Sequence, residues 1–183
     1  MATLVPGTDA RVAPAPAWDP APALDLLRHE RFAEALSHVQ ARPPDPVGDP
    51  DVLLLEAMLL THNGQLADAE ITCRKLLAID ELNAGAHYVL ALCREHSGDG
   101  AAAAEHDRVA AYLDPGFAMP RLHLGLMARR GGDREVARRE LTQALFLLER
   151  EDAARLLLFG GGFNRDALVA LCDLALRDCG GRP

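Results

Sequence analysis

Histidine and cysteine are the side chains of this sequence that could bind a metal or act as nucleophiles, and it holds seven and four of them. His62 and His96 stand at matching places near the ends of two helical stretches, and Arg130 takes the same place after an equal interval. Zinc needs several ligands converging on one ion. One imidazole per interval, with no carboxylate to complete a set, leaves the rings spread out. A solvated or partner-facing row is the better reading, and no metal is expected. Cys73, Cys93, Cys172 and Cys179 form no C-x-x-C pair and no zinc-type spacing, so they read as the reduced thiols of a cytosolic protein. Gly160-Gly161-Gly162 could be taken for a phosphate cradle, but it lacks the lysine and the preceding buried strand of such a loop. A flexible turn before a helix capped by Asn164 is expected instead. The sequence has no Walker loop, no G-x-G-x-x-G between strand and helix, and no H-E-x-x-H. No catalytic residue and no cofactor site follow, and this chain is not expected to be an enzyme.

The interval from His62 to His96 is the period of the whole chain. It separates Gly64, Gly98 and Gly132, and equally Ala69, Ala103 and Ala137, then Ala57, Ala91 and Gly125, then Ile79, Leu113 and Leu147. Each column has a physical reason. Small residues at 57, 91 and 125, and at 69, 103 and 137, let two helices approach closely. The glycines end the first helix of each pair in a left-handed conformation, and Asp99 and Asp133 suit the N-cap of the second. A small residue early, Gly at mid-repeat, Ala five later and Pro115 near the end resemble the tetratricopeptide repeat, and the period matches too. That resemblance implies an all-α, right-handed solenoid of helix-turn-helix units with a C-terminal capping helix.

Composition agrees with helices. Apolar residues make up 49% of the chain but aromatics only 4%, which leaves little material for strands. A net charge of −8 argues against nucleic acid as a partner. Charge is uneven, about −4 over Asp51 to Asn83 and +3 over Arg121 to Glu140, and a solvated helix face is the simpler account of it. The N-terminus lacks a hydrophobic signal core and no apolar run is long enough to span a bilayer, so a soluble cytoplasmic protein without a membrane partner is expected.

Residues 1–22 read as an Ala/Pro-rich linker with Trp18 as the residue that ties it down, and residues 23–42 as a degenerate first repeat in which Glu30 replaces the turn glycine. Full repeats follow at 50–83, 84–117 and 118–151. Their expected helices are Asp51–Asn63, Leu66–Ile79, Ala84–His96, Ala101–Leu113, Met119–Arg130 and Arg134–Arg150. Residues 152–183 form a Gly-rich turn and a capping helix. On that helix Ala167, Leu168, Leu171, Leu174 and Ala175 share one face, predicted to pack on the last repeat with Phe159 or Phe163 as an anchor. Asp107 occupies a column held by Cys73 and Leu141, so a buried acid with a cationic partner is predicted, with His87 and Arg121 as candidates.

First helices line the concave surface of such solenoids. The inward positions are Asp51, Leu54, Met58 and His62, then Tyr88, Leu92 and His96, then Leu122, Leu126 and Arg130. This groove is apolar along its middle and lacks the Lys, Arg and Asn clamp that holds a peptide carboxylate. An amphipathic helix from a protein partner suits it best.

Beyond the repeats, Leu113-Asp114-Pro115-Gly116-Phe117, His123-Leu124-Gly125 and above all Leu158-Phe159-Gly160-Gly161-Gly162-Phe163 resemble the tetratricopeptide region of CheR-type chemotaxis methyltransferases. Those enzymes transfer a methyl group from S-adenosylmethionine to chemoreceptor glutamates. The resemblance spans roughly Asp51 to Cys172. It implies a regulatory protein-interaction region, with the methyltransferase catalytic domain, the chemoreceptor or a signalling protein as partner. The catalytic domain is absent from these 183 residues. A free-standing tetratricopeptide adaptor with an unrelated partner is the alternative.

Overall fold

The computed structural model describes residues 18–43 and 48–180. Most of the expected linker, and Pro44 and Pro46 of the proline-rich break, lie outside them. Among the described residues ten helices follow one another: α1 Ala21–Arg28, α2 Phe32–Gln40, α3 Pro50–His62, α4 Leu66–Ile79, α5 Ala84–His96, α6 Gly100–Leu113, α7 Ala118–Arg130, α8 Arg134–Leu148, α9 Ala153–Phe159 and α10 Arg165–Asp178. Among the described residues there is no strand, and no helix is long and apolar enough to cross a membrane. Trp18 stands with its ring 5.8 Å from that of His38 on α2, and α1 begins at Ala21, inside the expected linker.

The turns follow from local chemistry. Gly64, Gly98 and Gly132 take φ of 74°, 83° and 83°. Asp49, Asn83, Asp99 and Asp133 accept backbone N–H bonds at the starts of α3, α5, α6 and α8. Glu30, in place of the first turn glycine, is the one non-glycine among the described residues with positive φ, at 56°. An L-residue there costs roughly 1–2 kcal/mol. The hairpin geometry is therefore imposed by packing even where the sequence has lost its glycine.

Consecutive helices pair as hairpins, α3 with α4, α5 with α6 and α7 with α8, and each hairpin stacks on the next. Ala57, Ala91, Ala69, Ala103 and Ala137 are fully buried. At Gly125 the approach leaves no room for a side chain, since a Cβ there would lie 2.6 Å from Leu141 Cγ and 3.1 Å from the Leu141 backbone nitrogen. The repeat also sets a polar column. His87 meets His106 at 3.1 Å within one hairpin, and in the next hairpin the equivalent Arg121 meets Glu140 at 2.8 Å. The arginine-rich segment is drawn into ion pairs of this kind: Arg129 with Asp178 at 2.7 Å, Arg130 with Glu95, and Arg139 with Glu140. All four cysteines are free and buried, and burial pushes the Cys73 and Cys172 thiols up to about 12.

α10 covers the end of the stack against α8 and α7. Its buried face is Leu168, Cys172, Ala175, Leu176 and Cys179. The expected face was right at Leu168 and Ala175 and wrong at Leu174, which is 56% exposed. The stripe is rotated because Cys172 and Cys179 act as small hydrophobes. Phe163 is 59% exposed and anchors nothing, whereas Phe159 is buried.

Candidate protein-binding surface

The chain does not pass straight from the last hairpin to its cap. Between α8 and α10 it crosses the first helices of the stack. α9 touches α1 and α3, and Phe159 at its end reaches Tyr88 on α5 and Phe117 ahead of α7, with ring centroids 5.7 and 4.8 Å away. Tyr88 and Phe117 are themselves 5.3 Å apart and nearly perpendicular. The three rings bury one aromatic cluster in the edge-to-face and tilted arrangements their quadrupoles favour. Gly85 makes room for it, because a Cβ there would come within 3.0 Å of the Phe159 ring and 2.8 Å of Leu54.

A break in the capping column prepares this seat. Asp49 and Asn83 cap α3 and α5 with their own side chains. Phe117 stands at the equivalent place before α7, has no polar cap to offer, and turns its ring into the cluster. Glu151, one repeat later in the same column, supplies the missing acceptor: its Oε2 takes the Ala118 N–H at 2.8 Å. Arg155 then lies 2.9 Å from Asp114 and 3.3 Å from Glu151, with its guanidinium 4.4 Å from the centre of the Phe117 ring. Asp152 caps α9 by accepting from Ala154 and Arg155.

The three glycines close α9 and turn the chain. A Cβ on Gly160 would strike the Leu156 carbonyl at 2.4 Å and the Phe163 carbonyl at 2.8 Å, and Gly161 and Gly162 take φ of 63° and 86°. Arg165 fixes the far side, donating to the carbonyls of Leu148 and Glu151.

The ten expected groove residues differ in accessibility. Met58, Tyr88 and Leu122 are buried. Leu54, His62, Leu92 and Leu126 are half-buried, while Asp51, His96 and Arg130 are exposed. Tyr88, only 4% exposed, is in contact with Phe159. His62 stacks on Phe32 at 4.4 Å, and burial lowers its pKa. His96 instead stands in solvent with Nδ1 2.8 Å from the Leu92 carbonyl. The two histidines share a column without sharing an environment.

Asp107 is fully buried, as expected, but its partner is neither His87 nor Arg121. Those two belong to the column that packs within a hairpin, whereas Asp107 points across to the next one. There His123 on α7 places Nδ1 2.7 Å from Asp107 Oδ2 and Nε2 2.8 Å from Glu95 Oε2. The Asp107 contact is short but poorly aligned for a hydrogen bond, so it acts as an ion pair. With a carboxylate oxygen at each ring nitrogen, the doubly protonated imidazolium is the form that suits both. Burial pushes Asp107 up to about 6, against the pull of His123. For His123 burial opposes the charge, but Asp107 and Glu95 outweigh it and raise its pKa. Glu95, extended by its pair with Arg130, joins α5 to α7 through the same network.

No protein-family model matches the chain, and no curated protein matches it in sequence. Solved structures match it in fold. The crystal structure of PcrH in complex with the chaperone binding region of PopD aligns with a TM-score of 0.59 at 19% identity, over 71% of this chain and 90% of that one. MamA (41-end) from Desulfovibrio magneticus RS-1 aligns with a TM-score of 0.56 at 21% identity, over 75% and 80%. Another MamA crystal structure gives 0.56 at 17% identity, over 85% and 90%. These neighbours are tetratricopeptide-type helical solenoids, and this chain has that fold.

Proposed function

We propose that this chain is a protein-protein interaction module whose partner-binding surface is the inner face formed by α3, α5 and α7. The observation that carries the reading is the aromatic seat of Tyr88 and Phe117, which holds a short apolar helix by burying one ring and pairing one arginine with carboxylates. Helix-in-groove recognition uses the same contacts between chains. In finer terms, the module is the regulatory region of a chemoreceptor glutamate methyltransferase. That assignment rests on the Leu158–Phe163 motif, whose residues form the turn and anchor of α9. Titration of the chain with the purified catalytic domain of such an enzyme, and separately with a chemoreceptor cytoplasmic domain, tests it. Saturable binding to either is expected, with no binding of S-adenosylmethionine by this chain alone. Saturable uptake of that cofactor in calorimetry would overturn the non-enzymatic reading.

A second reading has its own support. The PcrH structure contains a segment of another protein, PopD, and its fold aligns with most of this chain. A free-standing adaptor that holds a segment of an unrelated partner fits that similarity equally well, and binding to neither methyltransferase nor receptor would favour it.

A further inference from the structure

We infer that α9 is a resident stand-in for the partner, so that the segment this surface takes is an amphipathic helix carrying arginine, then leucine at the next position, then an aromatic residue one turn beyond the arginine. The inference rests on the protein-binding reading and adds the chemistry of the ligand and the step that admits it.

The pattern is read from what is already seated. Arg155, Leu156 and Phe159 are the residues of α9 that meet the rest of the protein most specifically. Asp114 and Glu151 supply negative charge where the arginine lies, and Phe117 offers its ring face to the same guanidinium. Gly85, Tyr88 and Phe117 shape the pocket for one ring. A helix of matching charge and spacing would find every one of these contacts.

α9 is also built to leave. It is a seven-residue helix, too short to persist unsupported. Three glycines follow it. α10 and Arg165 hold the chain on α8 and at the Leu148 and Glu151 carbonyls by contacts that do not include α9. An open cleft of about 340 Å³ is lined by Leu27 and Arg28 of α1, by Leu156 and Leu157 of α9 and by exposed Phe163. Release of α9 therefore leaves the stack and its cap in place. Because α9 is tethered, it competes at an effective concentration near the millimolar range, and it lowers the apparent affinity for a partner by the fraction of time it is seated.

A blocked, labelled peptide of residues 152–163, followed by fluorescence anisotropy with the full chain, tests the competition. Phe159→Ala removes the anchor, and Arg155→Glu sets a carboxylate against Asp114 and Glu151 without altering the pocket. Each folded variant should bind the peptide at least tenfold more tightly than wild type does, and a peptide with alanine at its Phe159 position should not bind. If Phe159→Ala fails to fold, Arg155→Glu alone carries the test. No gain in either folded variant, or equal binding of the alanine peptide, overturns the inference. Because the probe is the chain's own segment, this outcome is separate from whether a methyltransferase or receptor binds.

Discussion

Phe159 packs its ring 4.8 Å from that of Phe117, although Phe159 follows the last hairpin and Phe117 opens it. Phe117 is also buried against Tyr88 and under Arg155. Its loss therefore opens a cavity within the stack, whereas loss of Phe159 lets α9 lift away. Phe117→Ala should cost about 3–5 kcal/mol, and Phe159→Ala distinctly less. Urea melts of the two variants check the order, and a larger loss for Phe159→Ala would make α9 part of the core.

Gly125 should tolerate no side chain. Gly125→Val drives a Cβ toward Leu141 Cγ and backbone, at about 1–3 kcal/mol of overpacking. Gly100→Val, where nothing lies within 4 Å of the added Cβ, serves as the control for helix propensity. The two should differ by more than about 1 kcal/mol on the scale of that overpacking cost, and equal melting midpoints would contradict the close approach of α7 and α8.

The Asp107–His123 pair predicts a pH slope. His123 is raised above its usual 6.5 in the folded state. Its contribution is thus fully present below that value and is lost as pH rises through the higher folded one. Asp107, raised to about 6 from 3.8, acts in the same direction, since its ionisation removes stability as pH rises through that window. Glu95 is lowered by His123 and Arg130 against its burial and matters only at more acid pH. His62, His87 and His106 are lowered and act oppositely, but they remain in a double variant, Asp107→Leu with His123→Gln. Wild type should therefore exceed that variant in Tm by more at pH 6 than at pH 9. A difference that is constant or grows with pH would contradict the raised pKa of His123.

Removal of Arg165–Pro183 should uncover the apolar side of α8 that Leu168, Cys172 and Ala175 now bury. Lower Tm and self-association are expected, read by light scattering. A truncated chain that stays monomeric and melts unchanged would show that α10 is no cap.

The hairpins were legible because each has three copies of the same constraint. Gly64, Gly98 and Gly132 mark one backbone conformation, and Ala57, Ala91 and Gly125 one close contact. Column logic failed where a contact runs between hairpins instead of within one. The matching positions of His87 and Arg121 made them the candidates for Asp107, but they meet His106 and Glu140, and Asp107 meets His123. The crossing of α9 was hidden because it occurs once. Its one trace in the sequence is the capping column, where Asp49 and Asn83 give way to Phe117 and the polar group returns at Glu151.

Amide hydrogen exchange of the full chain, with and without a saturating excess of the 152–163 peptide, tests most directly whether the inner face is the binding surface and α9 its occupant. The account predicts that the peptide abolishes protection in α9 while α3, α5, α7 and α10 keep theirs. Bound peptide with undiminished protection in α9 would place the ligand elsewhere and contradict it.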